Sequence, residues 1–162
     1  MIVIVSILSF FLEFLVNHIF NVSIFLGLIV LSTLILVEPF FRKQKNLFVF
    51  YCFIIGFFYD FFFTGLYFMN AGLFLIIGCI VLFINSNTPN NFIVSIIELV
   101  LMICFYRFIS FLFFFVNGII PFDFNLLFKG IYCSLVINVF YGIVLYFLLY
   151  LMSKFFHIKR IN

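Results

Sequence analysis

Residues 92–116 read FIVSIIELVLMICFYRFISFLFFFV, and this stretch decides the class of the fold. It is longer than the about 20 apolar residues that an α-helix needs to cross the hydrocarbon core of a bilayer. Its charged side chains are Glu98 and Arg107. Because it lacks the short alternating segments of a barrel strand, the run predicts a transmembrane helix.

The rest of the chain has the same character. Of its 162 residues, 69% are hydrophobic and 8% are charged, whereas soluble domains carry about 25% charged residues. Phenylalanine occupies 32 positions, which we interpret as lipid-facing bulk. We therefore predict an all-α polytopic membrane protein, a single domain over residues 1–162 whose main surroundings are the lipid bilayer.

Six apolar runs are long enough to be transmembrane helices, and polar or glycine-containing breaks separate most of them. The segment from His18 to Asn21 is the weakest of these breaks. Asn46, Asn91 and Asn125 each precede an apolar run, where a side-chain oxygen can accept hydrogen bonds from the first helical turn. The six predicted helices cover residues 2–20, 22–41, 47–63, 67–84, 92–116 and 126–152.

The cations set the predicted orientation. One cluster, at residues 42–45, follows the second helix, and another, at residues 154–160, follows the sixth. Four crossings separate the two clusters, so both face one side, and the positive-inside rule assigns that side to the cytoplasm. We therefore predict six transmembrane helices with both termini cytoplasmic, and no cleavable signal peptide, since no cation precedes the first apolar run.

Several classes of function lack a sequence signal. The four cysteines stand singly in apolar runs, so we predict neither a metal site nor a cofactor. Without a Lys/Arg-rich patch or a glycine-rich phosphate loop, we predict no nucleic-acid partner. Catalytic motifs such as His-Glu-x-x-His and Gly-x-Ser-x-Gly do not occur, and we predict that the protein is not an enzyme and takes no small-molecule ligand.

Four charged side chains fall inside the predicted helices, where each costs roughly 2.5–3.5 kcal/mol to insert. Asp60 and Arg107 lie at matching depth, about 20 and 22 Å along helices three and five. We expect these two side chains to form an ion pair that fixes the packing of the helices, with Glu13 as the competing acid. Glu98 lies on the opposite face from Arg107, and we expect it to contact the cytoplasmic cations. A structural ion pair is favoured over a proton relay, because the acids are scattered.

The segment GFFYDFFFTGLYFMN, residues 56–70, resembles the most recognisable stretch of the rod shape-determining protein MreD family. That family typically has Gly, three residues, Asp, and a short Thr/Ser/Gly turn before another apolar helix. The matching positions are Gly56, Asp60, Thr64 and Gly65. We interpret these four residues and Arg107 as structural or partner-interface residues. Gly56 and Asp60 lie one helical turn apart on the same face of the helix, so they can act together in placing it.

The resemblance implies a non-enzymatic scaffold subunit of the bacterial cell-elongation machinery in the cytoplasmic membrane. Its implied partner is MreC, with indirect links to MreB, to RodA and to a class B penicillin-binding protein. The implied processes are the determination of cell shape and peptidoglycan synthesis.

A transporter subunit is the alternative interpretation. The substrate-binding S component of an energy-coupling-factor vitamin transporter is also a six-helix protein of this size. Such proteins dock their coupling subunit through small-residue patches, whereas Ala71 is the single alanine of this chain. A vitamin pocket near the outer face would need convergent polar groups. The candidate residues for such a pocket are Tyr67, Asn70, Asn117, Asp123 and Asn125.

Overall fold

A computed structural model of the chain describes residues 2–19, 28–41, 43–65, 68–89 and 91–155. These residues form an all-α structure without strands. A 3₁₀ turn, Glu38–Phe41, extends the second helix, and a π-helical turn, Asp60–Thr64, extends the third. The α-helices are α1 (Ile2–Ile19), α2 (Ile29–Val37), α3 (Lys45–Tyr59), α4 (Met69–Asn87), α5 (Phe92–Val116) and α6 (Phe124–Phe155).

Four helical segments are long and apolar enough to cross a membrane, which confirms the predicted class of an all-α membrane protein. They are Lys45–Thr64, Met69–Asn87, Phe92–Val116 and Phe124–Lys154. The helical segments Ile2–His18 and Ile29–Phe41 are apolar but shorter. Residues 20–27, which contain the start of the predicted second helix, lie outside the described residues.

The ends of the helices agree with the sequence in part. Helix α5 has both predicted bounds. Helix α4 continues to Asn87, so the prediction that residues 85–87 form a break is wrong. Hydropathy ends the helix early there because the last turn of α4 is polar, although its backbone still makes helical hydrogen bonds.

The predicted N-caps are mostly wrong. Helix α3 begins at Lys45 and α6 begins at Phe124, so Asn46 and Asn125 lie within first turns. The Oδ1 atom of Asp123 instead accepts a hydrogen bond from the backbone N–H of Asn125 at 2.9 Å. Asn91 does occupy the N-cap position of α5, but its side chain makes no capping hydrogen bond.

Helix α2 lies at the centre of the bundle. Every residue from Ile29 to Val37 is buried, and the helix contacts α1, α4, α5 and α6. A helix that is apolar on all sides is typical of such a buried position. The other helices therefore surround α2 and turn their remaining apolar faces outward.

Helices α3 and α4 form a tight antiparallel pair. A Cβ atom added at Gly56 would lie 2.6 Å from the backbone oxygen of Asn70 and 2.7 Å from the Cα of Ala71. One at Gly78 would lie 2.7 Å from the Sγ of Cys52. Small residues therefore allow this crossing, as is usual for helices packed in membranes.

Side-chain contacts give the relative directions of the helices. Ser6 bonds to Tyr51 and Glu13 bonds to Tyr59, so α1 and α3 run in parallel. At one end of the bundle the 3₁₀ turn after α2 meets the last turn of α4 and the start of α5. We call this the basic end, because it also holds Lys43 and Lys45, the second of which is the first residue of α3. The π-helical turn and the start of α4 lie at the opposite end.

Candidate functional site: buried carboxylates and Arg107

The local structure around Asp60 is set by the turn between α3 and α4. The backbone N–H of Gly65 donates to the carbonyl oxygen of Asp60 at 2.8 Å, which closes a π-helical turn. Gly65 has a positive φ of 63°, a conformation that glycine adopts without strain. Because the chain turns at Gly65, the start of α4 comes back against the last turn of α3 and faces the Asp60 side chain.

The Asp60 carboxylate caps α4. It accepts hydrogen bonds from the backbone N–H groups of Asn70 and Ala71, the second and third residues of that helix, both at 3.0 Å from Oδ2. The Asn70 side-chain amide donates to Oδ1 at 2.7 Å, and the Thr64 hydroxyl donates to it at 3.0 Å. The N-cap residue itself is Phe68, whose side chain has no oxygen to accept a capping hydrogen bond. Asp60 therefore supplies from the preceding helix the acceptor that α4 lacks, where the helix dipole also favours an anion.

The hydrogen bonds of Asp60 do not include the predicted ion pair with Arg107. Arg107, which is 6% exposed, donates from Nε to the Ser134 hydroxyl at 2.7 Å. The two residues do lie at matching depth, since Tyr106, the neighbour of Arg107, donates to the Asn70 side chain at 2.5 Å. The physical reason for the different partner is that neutral donors of the α3–α4 turn already surround the Asp60 carboxylate.

Glu13 caps the N-terminus of α2 in the same way. Its fully buried carboxylate accepts from the backbone N–H of Val30 at 2.9 Å and from the Tyr59 hydroxyl at 2.6 Å. Val30 is the second residue of α2, whose N-cap residue, Leu28, has no polar side chain. The opposite charges of Glu13 and Arg107 also interact electrostatically.

Further polar side chains connect the central helix to α6. The Ser32 hydroxyl of α2 donates to the Asn138 side chain of α6 at 3.2 Å. Thr33 of α2 and Tyr141 of α6 bond at 2.8 Å. Hydrogen bonds between helices in an apolar environment fix the register of one helix against another. The polar groups within the bundle thus connect its helices directly.

Glu98 lies at the basic end and shares a partner with a second acid. The Asn85 side-chain amide donates to Glu38 at 2.9 Å and to Glu98 at 3.3 Å, and all three side chains are buried. The predicted contact of Glu98 with the cytoplasmic cations falls partly on Arg42, which lies outside the described residues. The Asn85 bridge was not expected, because residue 85 was placed in a loop.

The structure brings the four motif residues together. Gly56 makes the close crossing with α4, Asp60 caps α4, Thr64 bonds to Asp60, and Gly65 ends the turn. Arg107 lies in the next layer, on α5. Sequence reasoning missed the capping partner Asn70, although an Asn that opens an apolar run ten residues after a buried Asp is a signal for such a contact.

The polar contacts of this region hold helix N-termini in place. Among the described residues, no group of three or more His, Cys, Asp or Glu side chains could hold a metal ion. The oxygens of Asp60 and Glu13 accept hydrogen bonds from helix N-termini, which keeps each carboxylate in one place. A cavity beside Arg107 measures about 20 Å³, far below the roughly 300–1,000 Å³ of a small-molecule pocket.

Comparison of the chain with protein-family models, with curated proteins and with solved structures finds no match. The resemblance to the MreD family therefore depends on the motif at residues 56–70. The contacts that the motif residues make in the structure give information about their role that does not depend on this resemblance.

Proposed function

We propose that the chain is a non-enzymatic scaffold subunit of the bacterial cell-elongation machinery, located in the cytoplasmic membrane and associating with MreC. The observation that carries this proposal is the structural use of the motif. Gly56, Asp60, Thr64 and Gly65 all build the junction of α3 and α4, and none of them lines a cavity described above. These residues fix how α3 and α4 pack, and a scaffold needs such a fixed shape to present a surface to its partner.

The proposed topology has six crossings and cytoplasmic termini. The parallel course of α1 and α3 supports it, because two helices separated by one crossing must run in the same direction. The cations Lys43 and Lys45 give the orientation, since cations are retained on the cytoplasmic side. The α3–α4 junction then lies toward the outer face, where the envelope partner MreC would meet it.

The same contacts favour a scaffold over a proton relay. A relay needs side chains that can exchange partners along a path. Asp60 and Glu13 instead each hold the N-terminus of the following helix, and movement of either carboxylate would leave backbone N–H groups unsatisfied in an apolar environment. Their role is therefore to fix helices, and the links to MreB, RodA and the class B penicillin-binding protein would pass through MreC.

The cavities that described residues line favour a scaffold over a vitamin-binding S component. The cavity beside Arg107 is too small for a vitamin. A shallow groove of about 560 Å³ runs along residues 43–47, but it lies at the basic end and not near the outer face. The experiment below is therefore designed to distinguish a scaffold from an S component.

The test is a mild-detergent pull-down of the tagged full-length chain from its native membrane, followed by mass spectrometry. We expect MreC with wall-synthesis proteins. Recovery of an energy-coupling membrane subunit with ATPases would replace the scaffold proposal by vitamin transport. The variant Asp60→Leu should lose MreC while the similarly changed Asp123→Leu keeps it. If Asp60→Leu is recovered from the membrane and still captures MreC, the α3–α4 junction does not shape the partner surface.

A further inference from the structure

A small cavity lies between α5 and α6, beside Arg107. Its volume is about 20 Å³, and Arg107, Ser110 and Gly130 contribute to its wall together with apolar side chains. A buried space of roughly 10–15 Å³ is enough for one water molecule. The cavity is therefore large enough for a single small species and too small for an organic ligand.

The polar groups at this cavity are donors. Ser110 is 6% exposed, and its hydroxyl oxygen has no hydrogen-bond partner among the described residues. An unsatisfied buried hydroxyl costs about 1–3 kcal/mol, so such a group in a native protein calls for a partner. The nearby Tyr106 hydroxyl gives its proton to Asn70, so it can offer Ser110 only an acceptor oxygen.

The charge of the residues that line the cavity determines which kind of small species can bind there. Arg107 places a cation at the cavity, and none of the described residues that line it is an acid. A guanidinium group offers donors and no acceptor, and a serine hydroxyl can donate as well. A metal cation would be repelled here, whereas a group with lone pairs can accept from both side chains.

We infer that this cavity is a binding site for one small hydrogen-bond acceptor, held by Ser110 and Arg107 between α5 and α6. Water and chloride share the required chemistry and size. The occupant accepts a hydrogen bond from the Ser110 hydroxyl and contacts the Arg107 guanidinium. This site does not depend on the scaffold role, because it follows from the cavity and its two polar side chains.

The experiment is anomalous diffraction from lipid-grown crystals of the full chain in sodium bromide, with a matched data set in sodium gluconate. We expect density within hydrogen-bond distance of both Ser110 Oγ and the Arg107 guanidinium. A bromide peak at this position identifies a halide site, and density without an anomalous signal identifies water. A cavity that is empty in both data sets overturns the inference.

Variants on the same helix test the role of Ser110. Ser110→Ala should lose the density, whereas Ser110→Thr, which keeps the hydroxyl, should retain it. Ser95→Ala is the control, because the Ser95 hydroxyl already donates to the backbone oxygen of Asn91 one turn away. Undiminished density in Ser110→Ala would show that Ser110 does not hold the occupant.

Discussion

Replacement of Asp60 by leucine should destabilise the protein by about 3 kcal/mol or more. Leucine is similar in size but accepts no hydrogen bond, so the backbone N–H groups of Asn70 and Ala71 and the Asn70 side-chain amide lose their acceptor. Each buried donor left unsatisfied costs about 1–3 kcal/mol, and the three costs are not fully additive because the groups are neighbours. Asp60→Asn keeps one acceptor oxygen without the charge, so we expect a loss of about half that size.

The assay is equilibrium unfolding in mixed micelles with increasing dodecyl sulfate, followed by circular dichroism. The chain has no tryptophan, so the near-ultraviolet signal of its 8 tyrosines reports tertiary packing. Asp123→Leu is the control, because Asp123 caps α6 from a half-buried position and loss of such a cap costs about 1 kcal/mol. If Asp60→Leu unfolds at the same detergent composition as the unmodified chain, the capping role assigned to Asp60 is wrong.

Three other predictions follow from the same contacts. Gly56→Ala should cost about 1–3 kcal/mol in the same unfolding assay, because its Cβ meets the backbone of α4, whereas Gly72→Ala should be neutral or slightly stabilising since open space surrounds that position. Tyr59→Phe should cost about 1–3 kcal/mol, because the buried carboxylate of α1 loses a donor at 2.6 Å; an unchanged unfolding midpoint would contradict this. For the topology, Lys43→Cys in a cysteine-free chain should react with an impermeant maleimide only from the cytoplasmic side and Asn117→Cys only from outside; labelling of both from one side would exclude the proposed arrangement.

Much of the fold could be predicted from the sequence, because hydrocarbon selects long apolar helices. Helix α5 was placed at both ends for this reason. The central position of α2 could not be predicted in the same way. A side chain that faces lipid and one that faces another helix are equally apolar, so hydropathy does not distinguish the buried residues of α2 from the exposed residues of α1.

The candidate site could be predicted only in part. A buried acid needs a partner, and that argument correctly singled out Asp60 and Glu13. It paired Asp60 with Arg107 because charge is visible in a sequence, whereas the backbone N–H groups of a helix N-terminus are not. The N-cap residue, Phe68, leaves those N–H groups without a side-chain acceptor from their own helix, but the predicted helix at 67–84 placed this residue inside the helix.

The capping of α4 by Asp60 has a consequence for the biogenesis of the protein. During synthesis α3 leaves the ribosome with its carboxylate, but the backbone groups that bind this carboxylate belong to α4, which is made later. A charged α3 alone would carry the full cost of insertion, and α4 alone would begin with bare N–H groups. We therefore expect the two helices to enter the bilayer together as one hairpin. In that hairpin the Asp60 carboxylate, which makes insertion of α3 costly, accepts the hydrogen bonds of the first turn of α4.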